Sequence, residues 1–162
     1  MSSLAGIDWT FSRGSAIDVP DVMVVMGEAF DPVFGEAWTA PQCSGILTLP
    51  GTMLLVARVK DRPAGFSLTR MVADEAELLL IAVRPMFGRY GIGRGLLLSA
   101  IDDVRLCGVK TMHLEVRADN PALKLYDSIG FAKVGIRTGY YRGKDGVVRD
   151  ALTYRCVLDE VE

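Results

Sequence analysis

The sequence predicts an α/β (α+β) domain: a mixed, largely antiparallel central sheet of about seven strands with helices on both faces. Three observations lead there. The early strand-like segments follow one another through short turns, as antiparallel neighbours do. From residue 77 onward, strand-like and helix-like segments alternate, which brings helices onto both faces of a mixed sheet. The segment ELLLIAV (77–83) is apolar on both faces, as a central, doubly covered strand must be.

Taken in order, IDWTFSR (7–13) reads as a first strand. Asp18 and Pro20 mark a helix start, and Val22, Val25, Met26 and Ala29 give an apolar stripe toward Phe30. The region 31–51 is irregular, with a short helix over 42–49. TMLLVARV (52–59) is a strand, KDRPAG a turn punctuated by Pro and Gly, and FSLTRMV (66–72) the next strand. A turn at DEA leads into the central strand 77–83. A helix follows over about 91–107, and Gly108 suits a left-handed position just past its end. TMHLEVRA (111–118) is a strand, and PALKLYDSIGF (121–131) a short helix ending at Gly130. KVGIRTGYY (133–141) and VVRDALTYRCVL (147–158) are the last two strands, joined around Asp145-Gly146, a strong hairpin signal. No repeat, low-complexity tract or Ser/Pro linker interrupts the chain, so residues 1–162 are expected to form a single domain.

The chain has 162 residues, half of them hydrophobic, which suits one domain with a sizeable core. A net charge of -2 argues against a protein held on nucleic acid by phosphate contacts. It leaves room for a small acidic pocket that takes a basic substrate. MSSLAGIDWTFSRG has neither a basic segment nor a long apolar run, so no signal peptide is expected. No apolar run reaches the roughly 18 residues of a membrane span. Cys43, Cys107 and Cys156 are odd in number and widely spaced, which fits reduced thiols in a cytoplasmic protein and small hydrophobic packing roles. His113 is the only histidine. No Cys/His spacing resembles a zinc site, so no metal is expected, and a Ser-His-Asp or Cys-His hydrolase would have to use that one ring.

The most informative stretch is IAVRPMFGRYGIGRGLLLSAI (81–101). A strand ends at a proline, a loop brings Gly88, Gly91 and Gly93 with Arg89 and Arg94, and a Leu-rich helix begins. The free N–H groups of a helix start, added to its dipole, make an anion site. Glycines let an anion approach the backbone, and arginines add charge-assisted bonds. The loop therefore reads as a pyrophosphate cradle, with a ligand-free Gly-rich turn as the alternative. A P-loop would need Gly-Lys-Ser/Thr here, and a dinucleotide fingerprint would need glycine where Leu96 stands.

This loop resembles the acyl-CoA-binding motif of the GNAT acetyltransferase superfamily, Gln/Arg-x-x-Gly-x-Gly/Ala. Gly91 and Gly93 match, Arg89 and Tyr90 fill the variable places, and Gly88 stands where the motif has Gln or Arg. The resemblance continues through LEVRADN (114–120), LYDSIGF (125–131), IRTGYY (136–141) and DALTY (150–154), in the order seen in RimI-type enzymes. These are bacterial acetyltransferases of the N-terminal alanine of a ribosomal protein. Between Glu115 and Tyr126 this chain is one residue shorter than the RimI pattern. The resemblance implies a GNAT fold, acetyl-CoA as donor, and a coenzyme site at Gly88, Arg89, Tyr90, Gly91, Ile92, Gly93 and Arg94.

Acetyl transfer to an amine requires a neutral amine, a base, N–H donors for the oxyanion and an acid for the thiolate. Strand alternation puts His113, Glu115 and Arg117 on one face and Leu114 and Val116 on the other. The resemblance implies that Glu115 is the base; taken alone, it could be a strand-end charge paired with Arg117 or another cation. It implies that Tyr126 is the acid, where plain packing between Leu125 and Phe131 is the alternative. It gives Asn120 a coenzyme contact, although an N-cap before Pro121 fits equally. Ile81, Ala82 and Val83 would present backbone to the acetyl and pantetheine arm, with the Val83 N–H as oxyanion donor. Glu77 is a reserve base, against a solvated charge beside Asp74 and Glu75. Tyr140 and Tyr141 would lie near the acceptor, against ordinary edge-strand aromatics.

Three functions are compatible with these residues. The first is an N-terminal protein acetyltransferase using direct attack. The second is a GNAT enzyme of a small-molecule amine or amino acid, its pocket built by DPVFGEAWTAPQC (31–43). The third is a catalytically weak acyl-CoA-binding regulator. No nucleic acid or membrane partner is expected, and a monomer or homodimer would serve.

Overall fold

The apolar runs become strands in one sheet: β1 (Ser2–Leu4), β2 (Ile7–Gly14), β3 (Thr52–Val59), β4 (Arg62–Val72), β5 (Glu75–Val83), β6 (Thr111–Arg117), β7 (Ala132–Arg142) and β8 (Val148–Val157). Helices α1 (Val19–Ala29), α2 (Ala40–Ile46), α3 (Ile92–Leu106) and α4 (Leu123–Ile129) connect them. The structure, a computed structural model, describes residues 2–4 and 7–158, with side chains from Ile7 onward. The ends of the expected single domain, and part of the stretch read for a leader, lie outside the described residues.

The strand order is β1-β2-β3-β4-β5-β6-β8-β7. Every pairing is antiparallel except β5 with β6. The seven expected strands are β2 to β8. The eighth, β1, spans three residues on the edge of β2, too short for any periodicity to reveal.

Two cores sandwich the sheet. On one face α3 buries Leu96, Leu97, Ala100 and Val104 against β3, β5 and β6, with Tyr126 of α4 beside them. On the other, Val22, Val25 and Met26 of α1 and Cys43 of α2 cover Leu54, Phe66 and Leu80. Each such buried Leu or Phe contributes about 1.5–3 kcal/mol. The stripe read from the α1 sequence is the one that faces inward.

Helix limits follow their caps. α2 begins two residues before the expected 42, because Thr39 and Gln42 form a reciprocal box. The Gln42 N–H donates to Thr39 Oγ1 at 3.3 Å, and the Thr39 N–H to Gln42 Oε1 at 2.7 Å. α3 opens after Gly91, whose φ of 81° few other residues tolerate, and ends before Gly108 at φ 89°. Cys43 and Cys156 are buried as expected, but Cys107 is exposed. It sits one residue past α3, beyond the last inward side chain, Val104, so the expected core role fails there.

Two irregularities in β5 open the middle of the sheet. Leu68 pairs with Leu80 and Thr69 with Leu78, which leaves Leu79 as an extra residue in a β-bulge. The bulge reverses the alternation, so Leu78 faces the α3 core and Leu80 the α1 core. Beyond it the parallel seam opens: β5 and β6 pair only at Glu75–Thr111, Ala76–Met112 and Glu77–His113. β6 continues to Arg117 bonded to β8 alone. No described helix is long and apolar enough to cross a membrane.

Candidate active site

Where β5 and β6 part, a cavity of about 440 Å³ opens, lined by residues 77–81 of β5 and 114–116 of β6. Tyr126 closes it from α4, Tyr140 and Tyr141 from β7, and Phe30, Glu36 and Trp38 from the segment after α1. A second cavity of about 380 Å³ shares Phe30, Glu36, Ile81, Asn120 and Tyr126 with it and extends to Val83 and Ala122. The two form one passage along the parted seam.

The edge of β5 faces this passage with unused donors. The Arg84 N–H donates to the Ala64 carbonyl at 2.7 Å, on the β4 side. Backbone N–H groups alternate along a strand, so those of Val83 and Ile81 point to the other edge, the one β6 has left. Ala82 is buried in the α1 core and offers only backbone.

Glu115 lines the larger cavity with its side chain 27% exposed. Arg117 is not its partner; Arg137 of β7 is, with Nε 3.5 Å from Oε2, a loose contact of a largely exposed guanidinium. Tyr126, 5% exposed, packs edge-on against Phe131 and Tyr154 at 5.9 and 6.4 Å. Packing and cavity lining are therefore both true of it. Burial, and then the charge of Glu36, pushes its phenol up to about 12. The Tyr141 phenol also rises to about 12, by burial first and then by Glu115 and Glu36. Tyr140 meets Tyr141 edge-on at 5.3 Å and is half-exposed. Glu77 is exposed at the rim, opposite His113 and Arg70.

The α3 start lies beyond the end of β5. The first intrahelical bond runs from the Gly95 N–H to the Gly91 carbonyl at 2.9 Å, so the N–H groups of Ile92, Gly93 and Arg94 have no partner within the helix. A Cβ on Gly93 would stand 3.6 Å from Val83 and 3.8 Å from Leu125, between β5 and α4. Arg89, with φ 68°, and Gly88 are exposed on the loop, and Arg94 Nη1 donates to Ser128 Oγ at 3.0 Å. Ile92 is buried in the core and Tyr90 packs against it. This fits a diphosphate: amides without helical partners at a helix start, two flanking arginines, and glycine at 91 and 93. Asn120 Oδ1 accepts from the Ala122 N–H at 2.8 Å, an Asx turn that delays α4 to Leu123. It still lines both cavities.

Sequence reading gave residues 31–43 a pocket-building role in its second function but singled out none of the side chains that line the cavity, Phe30, Glu36 and Trp38. Glu36 sits at the junction of the cavities, its carboxyl raised by burial and drawn back by Arg117. Arg117, 5% exposed, donates Nη1 to Glu36 Oε1 and Nε to Asp119 Oδ1, and its guanidinium lies 3.5 Å from the Phe34 ring centre. The only available signal was a loop unusually rich in Phe, Trp and acidic residues. Among the described residues, no three His, Cys, Asp or Glu side chains gather as a metal site.

A parallel seam parted beside a glycine-opened helix defines a class: the acyl-coenzyme A-dependent transferases. The acetyltransferase (GNAT) domain pattern matches residues 28–144, and the chain belongs to the GNAT acetyltransferase family, whose acetyl donor is acetyl-CoA. It is 32% identical to the ribosomal-protein-S18-alanine N-acetyltransferase of Escherichia coli, whose crystal structure superposes with a TM-score of 0.85 over 96% of this chain and 97% of that one. In sequence it is 49% identical over 87 residues to the [ribosomal protein bS18]-alanine N-acetyltransferase of Salmonella typhimurium, 53% of this chain and 59% of that enzyme. It is 48% identical over 81 residues, 49% of each chain, to the N-alpha-acetyltransferase RimI of Mycobacterium tuberculosis. The matched segments thus span about half to three-fifths of these two relatives. The PaiA N-acetyltransferase of Thermoplasma acidophilum, solved with coenzyme A, shares the fold at TM-score 0.75 and 16% identity.

Proposed function

We propose that this chain is a RimI-like enzyme of the cytoplasm that moves acetyl from acetyl-CoA to the N-terminal α-amino group of a protein. The observation that carries the reading is the convergence on one cavity of Glu115, Tyr126 and the open edge of β5. The donor supplies an activated thioester carbonyl. The amides at the start of α3, with Arg89 and Arg94, hold its diphosphate, and Ile81, Val83 and Asn120 line its arm. The Val83 N–H, fixed in direction by β4, meets the carbonyl oxygen as negative charge develops there.

The acceptor end suits an amine. The larger cavity is lined by three carboxylates, Glu36, Glu77 and Glu115, and by no Lys or Arg. An α-amino group, with a pKa of about 7.7–8.0, loses its proton near neutrality far more readily than a lysine at about 10.4. Glu115 takes that proton, directly or through one water, and Glu77 is the reserve. The amine attacks the thioester directly, as the resemblance to GNAT enzymes implies, and neither cavity is lined by Cys, Ser, Thr, Lys or His. Tyr126 keeps its proton at neutral pH and donates a hydrogen bond to the leaving sulfur. Complete transfer to a thiolate, conjugate to a thiol near 8.5, lies uphill by about 5 kcal/mol, so the phenol acts mainly as a bond donor.

The test incubates the chain with acetyl-CoA and short peptides bearing free or blocked N-termini, Lys peptides and polyamines, reading thiol release. Release with free N-termini, alanine first among them, is expected. Release with polyamines alone would replace the proposal by a small-amine enzyme. Coenzyme binding without turnover would make the chain a regulator.

A further inference from the structure

The segment between α1 and α2 walls the acceptor cavity, yet residues 31–39 hold no place in the sheet and only a single 3-10 turn, Pro32–Phe34. What orders it is a cluster of charges around one aromatic ring. Arg117 lies two residues beyond Glu115, at the end of β6, and is nearly buried. A buried guanidinium is tolerated only with full pairing, and here Glu36, Asp119 and the face of Phe34 supply it. The other oxygen of Asp119 accepts from Arg149 Nε at 2.9 Å, and Arg149 stands 4.8 Å from the same Phe34 ring. Arg149 also donates to Asp145 at 3.1 Å, and the Lys144 N–H donates to the Val33 carbonyl at 2.8 Å.

Two guanidiniums thus grip Phe34, and three separate pieces of chain meet there: the 31–39 segment, the turn after β6 and the β7–β8 hairpin. The first brings Glu36 and Trp38 to the cavity; the hairpin's β7 arm brings Tyr140 and Tyr141. We propose that Arg117 is a positioning residue that, through Phe34 and Asp119, clamps these acceptor walls together and thereby sets acceptor affinity. The inference rests on reading that cavity as the acceptor site. The α3 start, which holds the diphosphate, lies outside the clamp, while Phe34 and Arg117 also line the second cavity beside Ile81, Val83 and Asn120, so the clamp borders the donor's arm as well.

Two variants test this. Arg117→Lys keeps the charge but loses the planar fork that pairs and stacks at once. Phe34→Leu keeps apolar volume, leaves every ion pair in place and removes the ring, so it decides the matter should the lysine variant fail to fold. For each, KM for the peptide acceptor is expected to rise about tenfold or more. kcat and the coenzyme Kd should each change by less than KM, the Kd by about threefold or less, because the clamp borders the donor's arm and not its diphosphate. The proposal is overturned if a folded variant keeps the wild-type KM, or if the coenzyme Kd rises as far as KM, which would mark a general support of the fold. A wild-type chain that turns over no peptide would instead refute the acceptor reading itself.

Discussion

Replacing Tyr126 by Phe separates packing from chemistry with one atom. The ring contacts with Phe131 and Tyr154 survive, so unfolding free energy at pH 7 should change by about 1 kcal/mol or less. Loss of a donor aimed at developing charge should lower kcat by about 10²–10³-fold, or about 2.7–4 kcal/mol. A second signature lies at alkaline pH. The folded phenol titrates at about 12 against an ordinary 10, so the native state holds this proton more tightly than the unfolded chain. Its contribution is full below pH 10 and is lost as pH rises through 12. Two units correspond to about 2.7 kcal/mol, an upper figure. Urea unfolding at pH 7, 9.5 and 11.5, followed by tryptophan fluorescence, should show a smaller alkaline loss in the variant. Initial rates of thiol release give kcat. Wild-type turnover in the variant would remove Tyr126 from the chemistry, and an unchanged alkaline loss would refute the burial argument.

Glu115→Gln should lower turnover about 10²–10⁴-fold while coenzyme affinity, measured by calorimetry, stays within about twofold. Gly91→Ala forces a side chain onto φ 81° at the opening of α3, and should weaken coenzyme binding while destabilising the fold by about 1–2 kcal/mol, read by titration and thermal melting. Gly95→Ala would place a Cβ 2.3 Å from the Trp9 ring, so a stability loss of about 1–3 kcal/mol is expected from denaturant melts, with kcat little changed in the folded fraction.

The legible parts of the molecule share a property: their information is local. The α3 start could be read because glycine, arginine and helix lie within eight residues, and β6 because its alternation is strict. The bulge at Leu79 was invisible, since in ELLLIAV every residue from 78 to 83 is apolar and a reversed alternation leaves no mark. The parting of β5 from β6 depends on where a parallel partner stops, which neither strand states alone. The pairing of Arg117 with Glu36 spans 81 residues. Strand alternation placed that arginine on the face of Glu115, but nothing nearby in sequence announced that it would be buried or what would neutralise it. The 31–39 segment stayed opaque for the same reason: its order comes from the far end of the chain.

A sheet whose middle seam stops after three rungs leaves its own closure unfinished. The amides of Ile81 and Val83 have no neighbouring strand, and an extended molecule carrying amide groups of its own can complete the ladder in their place. Cohesion of the fold then depends on occupancy, growing with the logarithm of ligand concentration over its dissociation constant. On the proposed function, in which acetyl-CoA lies along this edge, the chain saturated with donor is expected to resist proteolysis longer than the chain without it.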